Sequence, residues 1–300
     1  MARAGTIIMG KLQGKVAVIT GSSRGLGFGI AQAYSAEGAA VVLSGRSQGS
    51  LNAAVQSITA AGGKVIGVPT DVTSPVQMEA LAEAAVSAFG RFDIWVNNAG
   101  LSAPYGRTLD IPVDDFTMLM HTNIGGVYTG SLIAMRQFVN QGSGKLINML
   151  GRGDNKPVPY QNAYSSSKTW VRSFTMSLAA EYKYIPGIGV FAFNPGLVDT
   201  EMLREVAAIE GFESKLKPLS TVMRFWANPP SVPAETAVWL ASSATDGKTG
   251  LKKTVLTPTK VVGGLLRDVG RRATGKPAPD TTLNIQSVPP YTGSVAGSEA

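Results

Sequence analysis

Residues 15–27 read Lys15-Val16-Ala17-Val18-Ile19-Thr20-Gly21-Ser22-Ser23-Arg24-Gly25-Leu26-Gly27: a short apolar run, a glycine-rich turn, and the start of a helical pattern. Strand, loop and helix in that order make a ready anion site. The glycines let the chain turn tightly and bring its peptide N–H groups to a pyrophosphate at the helix N-terminus, where the dipole also favours negative charge. A single loop of this kind is weak evidence, because ordinary tight turns share its composition. The remainder of the chain has to support it.

Working outward, apolar and β-branched runs recur at Lys15–Thr20, Ala40–Ser44, Lys64–Val68, Ile94–Asn97, Lys145–Leu150, Gly189–Asn194 and Lys253–Thr257. Helical patterns near 25–37, 49–61, 75–89, 113–140, 163–184 and 233–242 separate them. Such alternation predicts an α/β doubly wound Rossmann fold, with one mostly parallel seven-stranded sheet and helices on both faces. Ser74-Pro75-Val76-Gln77 marks a helix start: Ser caps, Pro suits the first turn and Gln completes a capping box. Residues 1–258 are expected to form one domain, with a substrate lid at about 201–230, a stretch rich in Met, Phe, Trp and Pro. Residues 259–300 are expected to be a C-terminal extension packed on that domain. It holds an amphipathic helix (Val261, Val262, Leu265, Leu266 and Val269 on one face), a strand-like run at Thr282–Val288, and a Gly/Ser/Pro tail.

Composition narrows the function. Of 300 residues 44% are hydrophobic and 16% charged, enough apolar material for a large core. The net charge of +7 comes from scattered lysines and arginines without an aromatic-basic module, so an anionic cofactor is a better partner than nucleic acid. With no cysteine and one histidine, thiolate catalysis, disulfides and Cys/His metal sites are excluded. No run approaches the length of a secretion signal or a membrane span, and a cytoplasmic protein is expected.

The cofactor is expected to be NADP(H). After the second strand the chain reads Ser44-Gly45-Arg46-Ser47, where an NAD-binding protein places an acid on the ribose 2′-hydroxyl. No carboxylate stands there to repel a phosphate, and Arg46 with Arg24 can offer forked, charge-assisted donors to a 2′-phosphate. Asp71, followed by Val72, is a candidate for the adenine amino group, with an Asx turn as its alternative.

Thr20–Gly27, Asn97-Asn98-Ala99-Gly100, Tyr164-Ser165-Ser166-Ser167-Lys168 and Pro195-Gly196-Leu197-Val198-Asp199-Thr200 together resemble the motif series of the short-chain dehydrogenase/reductases, in family order over about 15–257. The resemblance implies cofactor contacts from Gly21, Ser23, Arg24, Gly25, Leu26 and Gly27, from Asn98, Ala99 and Gly100, and from Pro195, Gly196, Val198 and Thr200. It implies Tyr164 as general acid or base, Lys168 as its partner and ribose ligand, and Asn123 as a relay residue. Tyr164 and Lys168 are also one helical turn apart, so they share a face. A neighbouring ammonium together with the positive nicotinamide is expected to lower the phenol's proton affinity.

One position departs from the pattern. The family's catalytic Ser stands thirteen residues before the Tyr, and here that residue is Gly151; no Ser or Thr occurs between Ser143 and Ser165. Losing such a donor costs about 100-fold to 1000-fold in rate unless it is replaced. Arg152, Asn155 and Tyr160 are the candidate substitutes. The expected function is an NADP(H)-dependent oxidoreductase acting on a small carbonyl or alcohol substrate, built as a homodimer or homotetramer. The alternatives are a non-catalytic or regulatory cofactor-binding module, and an NADP-dependent epimerase or dehydratase.

Overall fold

A computed structural model describes residues 10–257, 263, 268, 271, 274 and 277–293. The predicted apolar face of Val261, Val262, Leu265, Leu266 and Val269 lies outside them, as does the end of the tail.

The first half of the sheet comprises β1 (Val16–Ile19), β2 (Ala40–Gly45), β3 (Val65–Pro69) and β4 (Ile94–Asn97), linked by α1 (Gly25–Ala36), α2 (Gln48–Ala60) and α3 (Pro75–Phe89). The second comprises β5 (Gly144–Met149), β6 (Ile188–Asn194) and β8 (Leu251–Thr254), with α6 (Asn162–Glu181) and α9 (Ser231–Ala241) in the connections. The order is β3-β2-β1-β4-β5-β6-β8, all parallel, so strand order reverses between β1 and β4. Ligand crevices in doubly wound sheets open at that point, at the C-terminal strand ends.

Both faces of the central strands are covered, which explains why β1 reads as an unbroken apolar run rather than an alternation. Ala17 and Ile19 face Ile30 and Tyr34 of α1 and Ala237 and Leu240 of α9. Val16 and Val18 face Met78, Leu81 and Phe138 on the other side. Each fully buried large side chain contributes about 1.5–3 kcal/mol. Between the layers, Asn97 links β4 to its neighbours: its Nδ2 donates to Asn148 Oδ1 (2.8 Å) and Ser131 Oγ (3.1 Å), and its Oδ1 accepts from Trp95 Nε1 (2.8 Å).

Three elements differ from the sequence expectation. The helix predicted over 113–140 is divided into α4 (Val113–Met120), a π-helical turn at His121–Gly125, and α5 (Gly126–Gln141). The wide turn carries Asn123 into full burial, a local irregularity of the kind that gathers at functional sites. The last sheet strand is Leu251–Thr254 rather than Lys253–Thr257, because Lys252 and Lys253 sit on an edge strand while the apolar run continues past it. The lid contains α7 (Glu201–Arg204), β7 (Glu205–Ile209) and α8 (Lys217–Trp226), and β7 pairs in parallel with β9 (Asn284–Val288) of the extension. Among the described residues no helix is long and apolar enough to cross a membrane.

Candidate active site

The turn after β1 is a cradle with no room for side chains. Gly21 has φ +61°, and a Cβ there would lie 2.9 Å from Ala99 Cα. A Cβ on Gly27 would overlap the Gly21 carbonyl and the Asn98 amide. That amide is fixed: Asn98 Nδ2 donates to Thr20 O (3.0 Å) and Gly21 O (2.9 Å), while Thr20 Oγ1 accepts from the Asn98 and Ala99 N–H groups. Arg24 is the N-cap of α1 without a side-chain cap bond, and the first turn holds no acid, so its N–H groups can meet an anion. Leu26 turns inward to the core, and Gly25 (φ +58°) faces the Thr200 side chain across the cleft. A pyrophosphate fits this arrangement of small residues and open donors.

At the tip of β2, a Cβ on Gly45 would approach Ser23 Oγ to 2.8 Å, so the Ser23 hydroxyl packs on the residue before Arg46. Arg46 is exposed and lines a hollow with Asp71, Thr73, Asp114 and His121. Asp71 forms the Asx turn that was its alternative reading, accepting from Thr73 N (2.9 Å) and Oγ1 (2.8 Å). These bonds, with a smaller contribution from Arg46, hold its carboxyl below the usual range. Val72 is buried against Gly126. The Arg24 guanidinium, also exposed, pairs with Glu201 of the lid.

On the other side, α6 and the segment after β5 meet face to face. Tyr164 is half-buried, and a Cβ on Gly151 would overlap its hydroxyl and lie 3.1 Å from its Cζ. The phenol therefore rests in space that a side chain at 151 would take. Lys168 is buried; its Nζ donates to Met149 O (3.2 Å) and lies 5.6 Å from the Tyr164 ring centre. A Cβ on Gly100 would lie 3.3 Å from Asn123 Oδ1 and 3.6 Å from Lys168 Nζ, so these three residues converge. Asn123 holds the loop after β4, accepting from Leu101 N (2.8 Å) and donating to Leu101 O (3.0 Å) and Ser167 Oγ (3.1 Å).

Burial of the hydroxyl, and behind it the Asp154 carboxylate, push the Tyr164 phenol up to about 12, and burial pulls Lys168 down to about 8. The lowering expected from the lysine concerns the site with its positive nicotinamide in place.

Of the proposed substitutes for the missing hydroxyl, Arg152 and Asn155 are exposed. Tyr160 is half-buried at φ +66°, with its ring against Tyr105 and Phe212, both at 5.5 Å. Tyr160 and Tyr164 line one cavity with Ala103, Pro104, Ile111 and Phe116. Gln161 lines it too, with its Oε1 buried and unpartnered; sequence reading missed it because a lone Gln carries no motif. Pro195 is buried, the Gly196 (φ +73°) N–H donates to Asn194 Oδ1 (3.0 Å), and Val198 bridges to Asn228 at the end of the lid. The Asp154–Lys252 contact was also missed, since nothing local relates residues 98 positions apart.

The profile of the family described as short chain dehydrogenase matches residues 15–211. The chain is 34% identical over 243 residues to a 3beta-hydroxysteroid dehydrogenase 1 from Eggerthella lenta, covering 80% of this chain and 91% of that protein. Among solved structures, a 3-ketoacyl-(acyl-carrier-protein) reductase from Brucella melitensis complexed with NADH superposes with a TM-score of 0.72 at 28% identity, covering 81% of this chain and 97% of that one. A protein named as an NAD(P)-dependent gluconate 5-dehydrogenase from Beutenbergia cavernae, with NADP bound at low occupancy, gives 0.70 at 28% identity, covering 81% and 96%.

Proposed function

The chain belongs to the short-chain dehydrogenase family, and from that premise we propose that it is an NADP(H)-dependent oxidoreductase interconverting a carbonyl and an alcohol, with Tyr164 as the proton donor and acceptor. The observation that carries this reading is the placement of Tyr164: it lines the cavity, one helical turn from buried Lys168, whose Nζ lies 5.6 Å from its ring centre. The nicotinamide, when bound, supplies or takes the hydride. The protein's own residues do the rest. The N–H groups at the start of α1 and the turn at Gly21–Gly27 hold the pyrophosphate. Ser23 and Arg46 meet the 2′-phosphate, Asp71 and Val72 flank the adenine, and Asn98, Ala99 and Gly100 form the floor. Pro195, Gly196, Val198 and Thr200 wall the nicotinamide end. Tyr164 gives its proton to the substrate oxygen in reduction and takes it in oxidation, while Lys168 and Asn123 order the ribose and the proton path.

The cavity has apolar walls at Ala103, Pro104, Ile111, Val113 and Phe116, and among the described residues the ionisable side chains lining it are the two tyrosines. A neutral, partly apolar carbonyl compound suits that lining. We read 1–258 as one domain, with 259–300 an extension secured to the lid through β9. Tyr128, Leu132 and Val139 form an exposed apolar row on α5, with Trp170 and Phe174 of α6 beside it. These helix faces suit self-association into a homodimer or homotetramer, which sedimentation of a Leu132→Glu variant would reveal as a lower mass. The absence of cysteine fits a reducing cytoplasm.

Incubating the protein with NADPH and neutral ketones, following absorbance and products, tests the proposal. Consumption of NADPH with one alcohol formed per cofactor supports it. A product of unchanged oxidation state would favour an epimerase or dehydratase, and tight NADPH binding without any product a non-catalytic module.

A further inference from the structure

Gln161 is a polar side chain in the cavity wall to which the proposed chemistry gives no part. It stands at the N-cap of α6, where Ser, Thr, Asp or Asn would accept from the first-turn N–H groups, and it makes no cap bond. Its Oε1 is buried without a hydrogen-bond partner among the described residues. Other polar side chains on this wall are engaged: Asn162 Nδ2 donates to Thr108 Oγ1 (3.1 Å), and Ser166 Oγ donates to Asn162 O (2.7 Å). The backbone around the amide is also fixed. Tyr160 is the one non-glycine among the described residues with a positive φ (+66°), a strained conformation that persists only where its surroundings hold it. They do so here, since Tyr160 O accepts from Gly106 N–H (3.0 Å) and its ring packs against Tyr105 and Phe212. Gln161 N–H donates to Val158 O (3.3 Å).

A buried acceptor without a donor costs free energy, which a ligand carrying an O–H or N–H would restore. Gln161 and Tyr164 line the same cavity three residues apart on α6, so their Cβ atoms stand about 5–6 Å from one another and their ends can meet neighbouring atoms of one small molecule. Among the described residues no carboxylate lines the cavity, so a neutral hydroxyl suits it better than an ammonium. We propose that Gln161 is a specificity-determining residue whose Oε1 accepts a hydrogen bond from a hydroxyl on the carbon next to the reacting carbonyl, which makes the substrate an α-hydroxy ketone. The inference rests on the oxidoreductase reading. A ketone lacking that hydroxyl leaves Oε1 unpaired, and a site built to meet a hydroxyl rejects the analogue without it more strongly than an apolar pocket rejects an added one. The walls at Ala103, Pro104 and Phe116 take the apolar remainder.

The test compares 2-hydroxyacetophenone with propiophenone, which carries a methyl in place of the hydroxyl. Calorimetric titration of each into protein saturated with NADP+ reads affinity without turnover, free of the unequal reactivity of the two ketones. The parent should bind the hydroxy ketone about 10-fold more tightly, the worth of one neutral hydrogen bond. Gln161→Met keeps the length of the side chain without its acceptor, and should bring the two affinities within about 2-fold by weakening the hydroxy ketone alone. Gln161→Ala is the companion should Gln161→Met not fold, with the same loss of preference expected. Gln161→Glu keeps an oxygen acceptor and should keep the preference. Equal affinities in the parent, or no binding of either ketone, would overturn the proposal. So would a preference that survives Gln161→Met, one that disappears in Tyr160→Phe instead, or an equal loss on both ketones, which would make Gln161 structural. Failure of the parent to reduce either ketone with NADPH would count against the oxidoreductase reading, and the affinities would still judge Gln161.

Discussion

On the β1–β4 side of the cleft the walls are mainly backbone: Gly21, Gly27, Asn98 and Ala99 leave no space between loop, helix and strand end, and the residues that touch belong to two short motifs, each legible by itself. On the β5–β6 side the site is built from side chains and from a lid ladder that no motif announces: Tyr164 against Gly151, Asp154 against Lys252, and the lid strand β7 paired with β9. The first side tolerates little because a clash there is with backbone. The second can be rebuilt, because the far end of a side chain can move. Changes on the two sides should therefore separate cofactor binding from chemistry.

The largest separation is expected from Tyr164→Phe. Deleting the phenol hydroxyl should lower turnover about 100-fold to 10,000-fold, the range for a lost general acid, while NADPH affinity by fluorescence titration stays near the parent's. Equal loss of both would mean that the two sides are not independent. Gly151 sharpens the contrast. A methyl at 151 must push the Tyr164 hydroxyl aside without offering a donor, whereas a serine does both. The comparison of Gly151→Ser with Gly151→Ala therefore isolates the donor, and the serine variant should exceed the alanine variant in kcat/KM on a simple ketone by about 10-fold or more. Equal rates would show that the missing hydroxyl does not limit this site.

On the cofactor side, Arg46→Asp replaces a 2′-phosphate donor by a repelling charge. The NADPH-to-NADH affinity ratio should fall by about 10-fold to 100-fold, the worth of a charged hydrogen bond, with turnover per bound cofactor little changed. Arg24→Ala should matter less to that ratio, since its guanidinium is engaged with Glu201.

The same contrast governs how much was legible in the sequence. The strand pattern, the order of the motifs and the glycine cradle followed from residues 15–100 because local periodicity and backbone conformation are written locally. Tyr164 and Lys168 were legible as a pair for the same reason, being one turn apart. The π-helical turn at His121–Gly125 was not, since its helix period is interrupted by only one residue's worth of register. Nor was the desolvation at the site: spacing shows Lys168 next to Tyr164, but it does not show that the lysine and the phenol hydroxyl are withdrawn from water.

The smallest effect, and the one that tests whether the substrate side is as adjustable as argued, concerns β9. This strand closes the outer edge of β7, and the contact continues at both ends. Glu210 N–H donates to Val288 O (3.0 Å), Tyr291 N–H to Asp110 O (2.9 Å), and Arg204 joins Asp280 Oδ2 (3.0 Å) to Asp199 Oδ1 (2.7 Å). The inner edge of β7 bonds to Tyr105, whose ring packs on Tyr160 at the cavity wall. Ending the chain at residue 278 would leave the lid strand held on one side only. The exposed pair with Asp280 is screened by solvent and contributes little, so most of the loss would come from the ladder. KM for the carbonyl substrate should rise about 3-fold to 10-fold, roughly 0.7–1.4 kcal/mol of lid ordering, with NADPH affinity and kcat close to the parent's. Asp280→Asn alone should move KM less than the truncation does. A truncated protein with unchanged KM would show that β7 is held by Tyr105 alone, and that the extension takes no part in shaping the substrate side.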